Sequence, residues 1–572
     1  MSQKLGPFNL GQSMNEALAL HRQGRLRDAE KIYTRVLKAA PDHFDALNLL
    51  GTIKAQLGRV GEAHRLLSAA VKLNPRAPQG WANLGQVLHQ LKQDRDALGC
   101  FDKALALVPD DIGILTNRAN ALLSLGRTEE ALAAFREILA RVPQHPEARL
   151  NSGIAHAALG ALDEAVAEFD HALTLVPGHP IAHFNRGVAL YDLGRYADAV
   201  AAHDSALKAA PDHAGALLHR GRALAALNRF DDAIASYGKA HALRKDDADV
   251  HFMESLALLT LGDYRRGFEK YEWRWRRSGT PEQKSRGRPL WLGDYPLARK
   301  TVLLHAEQGF GDTIQFARYV PLLAANGAKV VLEVQPELTT LMARLEGAAA
   351  VIARGAATPP FDVHCPLGSL PLAFKTEPAT VPADIPYLSA DDEHLAKWSA
   401  RIGALERPRI ALAWSGNPSH LNDRNRSIAF AKLAPLFPPP HPPPLAGEGR
   451  VGARFVSIQR DLRGEDAKAL AGETRVTDIG AALENFADTA AVIALCDLVI
   501  AVDTAVAHLA GAMGRPLWML LPFAPDWRWT LDGDTSPWYP TARLFRQTSL
   551  GDWDGVIARV GDELKRFTST AP

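Results

Sequence analysis

At 572 residues the chain exceeds what one hydrophobic core organises, so several domains are expected. Apolar residues make up 47% and charged residues 23%, the balance of an ordinary globular protein. A formal net charge of +1 supplies no long-range field for nucleic acid or an acidic membrane. Cys100, Cys365 and Cys496 stand far apart without metal-ligand spacing, which argues against a disulfide framework and for small buried residues in a reducing compartment. No basic segment followed by an apolar run opens the chain, so no secretory signal is expected. The most apolar stretch, residues 498–513, is broken by Asp503 and His508 and is too short to span a bilayer. A cytoplasmic protein with no nucleic-acid partner and no membrane span is therefore expected.

After a leader over residues 1–9, an internal repeat dominates residues 10–247. Ala29, Ala63, Ala97, Ala131, Ala165, Ala199 and Ala233 follow one another at steps of 34. Prolines keep the same step from Pro41 to Pro211, and glycines keep it at Gly51, Gly85, Gly153, Gly187 and Gly221, with Ala119 in the gap. Each unit reads as two helices that bury their apolar faces only when units stack. The small residues let the helices approach, Tyr33, Phe101, Phe135, Phe169 and Tyr237 are expected to fill the gap between units, and proline stops the second helix. Period and residue pattern resemble the tetratricopeptide repeat: seven units, then a degenerate one with a connector over 248–288. The fold class expected for this half is an α-solenoid.

Asn83, Asn117, Asn151 and Asn185 also keep the 34-residue step, two positions before the small residue of the first helix. That position of the repeat faces its concave side. An amide ladder there could grip the backbone of an extended peptide, or could bond to neighbouring helices and hold the superhelix in shape. Leu49 and His219 break the ladder at its ends.

From residue 289 strands and helices alternate, which predicts parallel sheets with right-handed crossovers. Strands are expected over 301–305 and 330–334, with a helix over 337–345, in a first lobe spanning 289–390. A linker helix over 391–406 then leads to a second lobe over 407–569. In that lobe strands are expected over 409–414, 454–459, 498–502 and 517–521, with a helix over 506–513 stopped by Gly514, Arg515 and Pro516. A proline-rich insertion over 438–453 reads as an extended surface segment. Two Rossmann-like lobes with a crevice between them form the glycosyltransferase-B arrangement.

Two segments carry a specific resemblance. EQGFGDTIQFARY (307–319) and DLVIAVDTAVAHLAGAMGRP (497–516) resemble the signature regions of glycosyltransferase family 9, the heptosyltransferases. With the repeats, the chain resembles bacterial relatives of the O-linked N-acetylglucosamine transferases, which hold protein substrates on a similar asparagine ladder. Some members of that bacterial group glycosylate flagellins. The resemblance implies a nucleotide sugar as co-substrate, no further cofactor, and a protein acceptor such as flagellin.

It also implies roles. Asp312, behind Gly309 and Gly311 and at a helix start, matches the proposed base, though an ordinary N-cap aspartate suits the position equally. A helix N-terminus favours the carboxylate, so a basic Asp312 needs a compensating environment. The turn Asp503, Thr504 and Ala505 offers amides and a hydroxyl to a phosphate, with Asp503 for sugar or ribose hydroxyls and His508 either reaching the donor or packing. Arg424 and Arg426 could neutralise the leaving phosphate, or lie in a solvated loop. No Asp-x-Asp pair is read after a likely donor-binding strand, with Asp391 and Asp392 in the linker helix and Asp461 alone, so no metal is expected. Trp527, Trp529, Trp538 and Tyr539 read as packing rather than a sugar platform, and residues 271–277 as glue between the repeats and the α/β domain. The rival readings are a heptosyltransferase-like enzyme acting on lipopolysaccharide core, and a scaffold that has lost activity.

Overall fold

The computed structural model describes residues 9–278, 286–405, 407–420, 422–437 and 454–570. The expected proline-rich insertion, 438–453, lies outside them. The chain divides into two compact units, Met1–His219 and Arg220–Pro572.

The first unit is a stack of helical pairs, from Leu10–Arg22 with Leu26–Ala39 to Pro180–Asp192 with Tyr196–Ala209. The reason for the period is visible in the contacts. A Cβ on Gly85 would stand 2.6 Å from Phe101 Cε1, one on Gly153 2.6 Å from Phe169 Cε1, and one on Gly187 2.5 Å from His203 Cε1. Each ring of a second helix therefore seats in the space where the first helix lacks a side chain. The alanines from Ala29 to Ala199 are fully buried at the same crossings. Second helices end two residues before each proline. A further element of the repeat is the turn within each pair, where the backbone takes positive φ at Gly24, Gly58, Lys92, Gly126, Gly160 and Gly194. Five of these six positions are glycine, which adopts that conformation without steric cost.

The second unit begins inside the helix Ala214–Ala226 and keeps the pair's partner, Phe230–Leu243. The degenerate eighth repeat is a true helix pair, Ala248–Thr260 and Tyr264–Tyr271, whose short second helix runs into a 3-10 turn over Glu272–Arg276. Two parallel sheets follow. The first contains β1 (Thr301–His305), β2 (Lys329–Val334), β3 (Ala348–Ala353) and β4 (Val363–Pro366) in the order β3-β2-β1-β4. The second contains β5 (Arg409–Ala413), β6 (Arg454–Ser457), β7 (Val476–Asp478), β8 (Leu498–Val502), β9 (Leu517–Leu521) and β10 (Ala542–Arg546), in the order β10-β9-β8-β5-β6-β7. The helix Asp392–Ile402, capped by Asp391 Oδ1, links the two sheets. The architecture is thus a tetratricopeptide-repeat solenoid followed by α/β layers with parallel sheets.

The helix expected over 337–345 is instead a 3-10 turn, Pro336–Leu338, and one helical turn, Thr339–Met342. Strands β3, β4, β7 and β10 add to the strands expected from sequence. Their three to six residues are too few for a period to stand out, and β3 is mostly alanine.

Candidate functional site

In parallel sheets ligands meet the loops beyond the carboxyl ends of strands, where the strand order reverses. That point lies between β8 and β5 in the larger sheet and between β1 and β4 in the smaller one. The helices that leave β1 and β8, Phe310–Phe316 and Ala505–Ala512, pack against each other. Gly311 permits this, because a Cβ there would lie 2.7 Å from His508 Cδ2. The two signature segments therefore meet.

Asp312 is not the N-cap residue but the third residue of its helix, and Gly309 is the cap. One carboxylate oxygen accepts the Gly309 N–H at 3.0 Å. The other accepts Arg528 Nη2 at 2.5 Å. Arg528 is 7% exposed and also donates through Nη1 to Asp526 Oδ1 at 2.8 Å and through Nε to Gln315 Oε1. Its guanidinium lies 4.4 Å from the centre of the Trp527 ring. Burial works against its charge, but Asp526 and Asp312 overcome that and hold its pKa above the ordinary arginine value. Arg528 thus joins the larger sheet's lobe to the candidate base of the smaller one.

The turn after β8 opens the helix Ala505–Ala512, with Thr504 as its N-cap. The Thr504 hydroxyl makes no cap bond and has no partner among the described residues. The amides of Ala505 and Val506 occupy the helix end, where no intrahelical acceptor reaches them. Arg426 Nη1 donates to the Asp503 carbonyl at 2.9 Å and fixes the turn. A Cβ on Gly416, just past β5, would stand 2.6 Å from Arg426 Nη2, so glycine makes room for that guanidinium. Arg424 is exposed, whereas Arg426 is half-buried against the turn.

Burial, with Asp526 adding to it, raises the Asp503 carboxyl to about 6, while Arg426 and Arg528 pull the other way. Burial, followed by the charges of Arg528, Arg318 and Arg426, pushes His508 well below the usual histidine value. This neutral imidazole shares a hydrogen bond with the Tyr539 hydroxyl at 2.9 Å through Nδ1. Its Nε2 lies 3.7 Å from Asp503 Oδ1, beyond hydrogen-bond length.

Trp527, Trp529, Trp538 and Tyr539 are buried and form a packing wall. Trp538 Nε1 donates to the Tyr264 hydroxyl of the eighth repeat at 3.0 Å. The same repeat reaches the loop before Asp312. Arg274 Nη2 contacts Glu307 Oε1 at 3.1 Å and Ser369 Oγ at 2.7 Å, and the Tyr271 hydroxyl pairs with Gln308. The glue expected of residues 271–277 is therefore specific: it holds the two residues that precede Gly309.

The asparagine ladder is partly occupied. Asn83 Nδ2 donates to Asn48 Oδ1 at 3.0 Å and Asn151 Nδ2 to Asn120 Oδ1 at 2.7 Å, each across to a neighbouring repeat. Asn117 is half-buried, and Asn185 lines a hollow of about 220 Å³ with Ile154, Phe169 and Asp192.

Arg528, Asp526 and Gln315 are the site residues that sequence reasoning passed over. The available signal was position, since Asp526 and Arg528 follow β9 much as Asp503 follows β8. Contrary to expectation, Asp-x-Asp pairs do follow strands of the larger sheet, Asp532 and Asp534 after β9 and Asp552 and Asp554 after β10; Asp532 and Asp534 are exposed, and the backbone carbonyls of Asp532 and Gly533 accept from Arg546. Among the described residues no group of three or more His, Cys, Asp or Glu could hold a metal ion.

Residues 454–538, which contain Asp503, Thr504, His508 and Arg528, match the profile of glycosyltransferase family 9 (heptosyltransferase). Tetratricopeptide-repeat profiles match 20–87, 78–111, 116–180, 165–214, 184–250 and 218–272. The chain joins tetratricopeptide repeats to a segment similar to glycosyltransferase family 9. Protein FlbA of Caulobacter vibrioides is 27% identical over 354 residues, covering 57% of this chain and 56% of FlbA. The chain thus spans little more than half the length of that curated relative. Solved structures similar to it include a tetratricopeptide repeat protein from Parabacteroides merdae, at 20% identity over 44% of this chain and 98% of that one, with a TM-score of 0.37. Another is a thermophilic tetratricopeptide repeat protein from Thermus thermophilus, at 27% identity over 32% of this chain and 100% of that one, with a TM-score of 0.28. No helix among the described residues is long and apolar enough to cross a membrane.

Proposed function

We propose that the protein is a metal-independent glycosyltransferase that moves a sugar from a nucleotide-sugar donor to a serine or threonine of a protein acceptor captured by the repeats, with flagellin as the acceptor to try first. The observation that carries this reading is the meeting of the family 9 turn at Asp503 and Thr504 with the Asp312 helix, at the strand ends of two parallel sheets. In the reaction the acceptor oxygen bonds to the anomeric carbon, and the bond from that carbon to the phosphate oxygen breaks. The electron pair stays on the nucleotide, and the hydroxyl proton passes to Asp312. The amides of Ala505 and Val506, the Thr504 hydroxyl and Arg426 face the departing phosphate. Asp503 meets hydroxyls of the donor. Asn83, Asn117, Asn151 and Asn185 offer carbonyl oxygens and amide protons to an extended peptide. The description of the matched family favours a second reading, transfer to a lipopolysaccharide core.

The test is a thermal-shift panel of UDP, GDP, ADP, CDP and CMP on the purified chain. A ligand at one hundred times its Kd stabilises the folded state by about 2.7 kcal/mol. Stabilisation by one nucleotide, lost in Thr504→Ala, supports the reading, and transfer of label to flagellin rather than to lipopolysaccharide core then selects the acceptor. No response to any nucleotide overturns it in favour of a scaffold.

A further inference from the structure

Arg528 stands between Asp312 and Asp526 at the strand ends of the two sheets. Resting on the transferase reading above, we propose that Arg528 is a catalytic residue with two partners in turn: Asp312 in the donor-free protein, and the departing diphosphate during transfer.

Three observations carry this. First, Arg528 belongs to the donor-side lobe yet ends on the candidate base of the other lobe, with Nη2 2.5 Å from Asp312 Oδ1. While that contact stands, Asp312 has a cation on one oxygen and the Gly309 N–H on the other, so neither oxygen is open to an acceptor proton. Second, the recorded hydrogen bonds of Arg528 use one N–H at each nitrogen, to Asp312, Asp526 and Gln315. A guanidinium carries five, in a planar fork that fits two phosphate oxygens at once. Gln315, fully buried beside it, has an Nε2 without a partner among the described residues. Third, the charges stand close together: Arg426 and Arg528 lie among Asp312, Asp503 and Asp526, and burial and Asp526 raise the Asp503 carboxyl while the two arginines pull it down. A diphosphate adds several negative charges and competes with Asp312 for the nearer cation.

The exchange links the two halves of the reaction. Donor phosphate draws the Arg528 fork away from Asp312. Asp312 Oδ1, released from Arg528 Nη2, is then open to the proton of the acceptor hydroxyl. As the bond to the anomeric carbon breaks, the Arg528 N–H groups stabilise the electron pair left on the phosphate oxygen, and the acceptor proton rests on Asp312.

The test uses the full chain with inorganic pyrophosphate and the nucleoside diphosphate that stabilises it, measured by calorimetry in wild type, Asp312→Asn, Arg528→Gln and Arg528→Lys. Asp312→Asn frees Arg528 and is expected to tighten pyrophosphate about tenfold, a gain that a merely structural role would not give. Arg528→Gln is expected to weaken it at least tenfold and to cut kcat about a hundredfold, with Arg528→Lys recovering part of both. Unchanged or weaker pyrophosphate binding in Asp312→Asn overturns the exchange while leaving the transferase reading intact. If wild type binds neither pyrophosphate nor any nucleotide, both fall.

Discussion

Arg274→Met tests whether the eighth repeat holds the loop in front of Asp312. Arg274 is 4% exposed and donates to Glu272 Oε1 at 2.6 Å, Ser369 Oγ at 2.7 Å and Glu307 Oε1 at 3.1 Å. Methionine preserves most of the volume and removes every donor. Glu307 then keeps only the Gly368 N–H, at 3.0 Å, as a recorded partner in a buried position. Breaking a buried ion pair from one side costs about 3–5 kcal/mol. With an unfolding entropy of about 2.1 cal/mol/K per residue over the second unit, 4 kcal/mol lowers Tm by about 5 °C.

The pH dependence has a definite sign. Burial already raises the Glu307 pKa, against the opposing pull of Arg274, so the folded state binds its proton more tightly than the unfolded chain does. Stability from this group is present below the unfolded pKa and lost as pH rises through the folded one. Removing Arg274 raises the folded pKa further. The Tm deficit is thus expected to be larger at pH 8 than at pH 5, and Glu307→Gln in the same chain is expected to restore most of it. Differential scanning fluorimetry of both single variants, the double variant and wild type at the two pH values is the assay. A deficit below 1 °C at pH 8, or additive losses in the double variant, would refute the reasoning.

Asp503→Asn removes a carboxyl whose folded pKa is about 6. Wild type loses stability from this group as pH rises from about 4 through 6, so the variant is expected to be ~2 kcal/mol more stable at pH 7 and level with wild type near pH 4 in thermal melts. Gly311→Val drives a side chain into His508, where even a Cβ would stand 2.7 Å from Cδ2, and is expected to cost about 1–3 kcal/mol by urea denaturation as the two signature helices part. Lys92 takes φ +62° where five of the first unit's six turns have glycine, so Lys92→Gly is expected to raise stability by about 1 kcal/mol in the same assay.

The solenoid was legible because its period repeats the same steric problem: glycine against a ring, alanine at a crossing, proline after the second helix. The positive-φ turn was equally legible in Gly24, Gly58, Gly126, Gly160 and Gly194, though a different set of glycines draws the eye first. Asp503, Thr504 and Asp312 stand out as candidates because they lie in loops at parallel strand ends, where ligands meet such sheets. Arg528 could not be ranked from sequence, since its partners Asp312 and Gln315 lie more than two hundred residues away. Nothing in the run from Pro525 to Trp529 separates a buried bridging arginine from one covering an aromatic face. Arg424 and Arg426 stand two residues apart in one short helix, and only the packing around Gly416 distinguishes the half-buried cation from the exposed one.

The junction inside the helix Ala214–Ala226 separates two kinds of inheritance. Upstream of it, the pairs repeat the same small-residue seat between their two helices, so units can be gained or lost 34 residues at a time without new contacts having to be invented. Downstream, Tyr264, Tyr271 and Arg274 belong to the α/β unit as firmly as its own strands. A lineage of such chains can lengthen or shorten its solenoid by altering repeat number, while the last repeat stays fixed to the α/β unit.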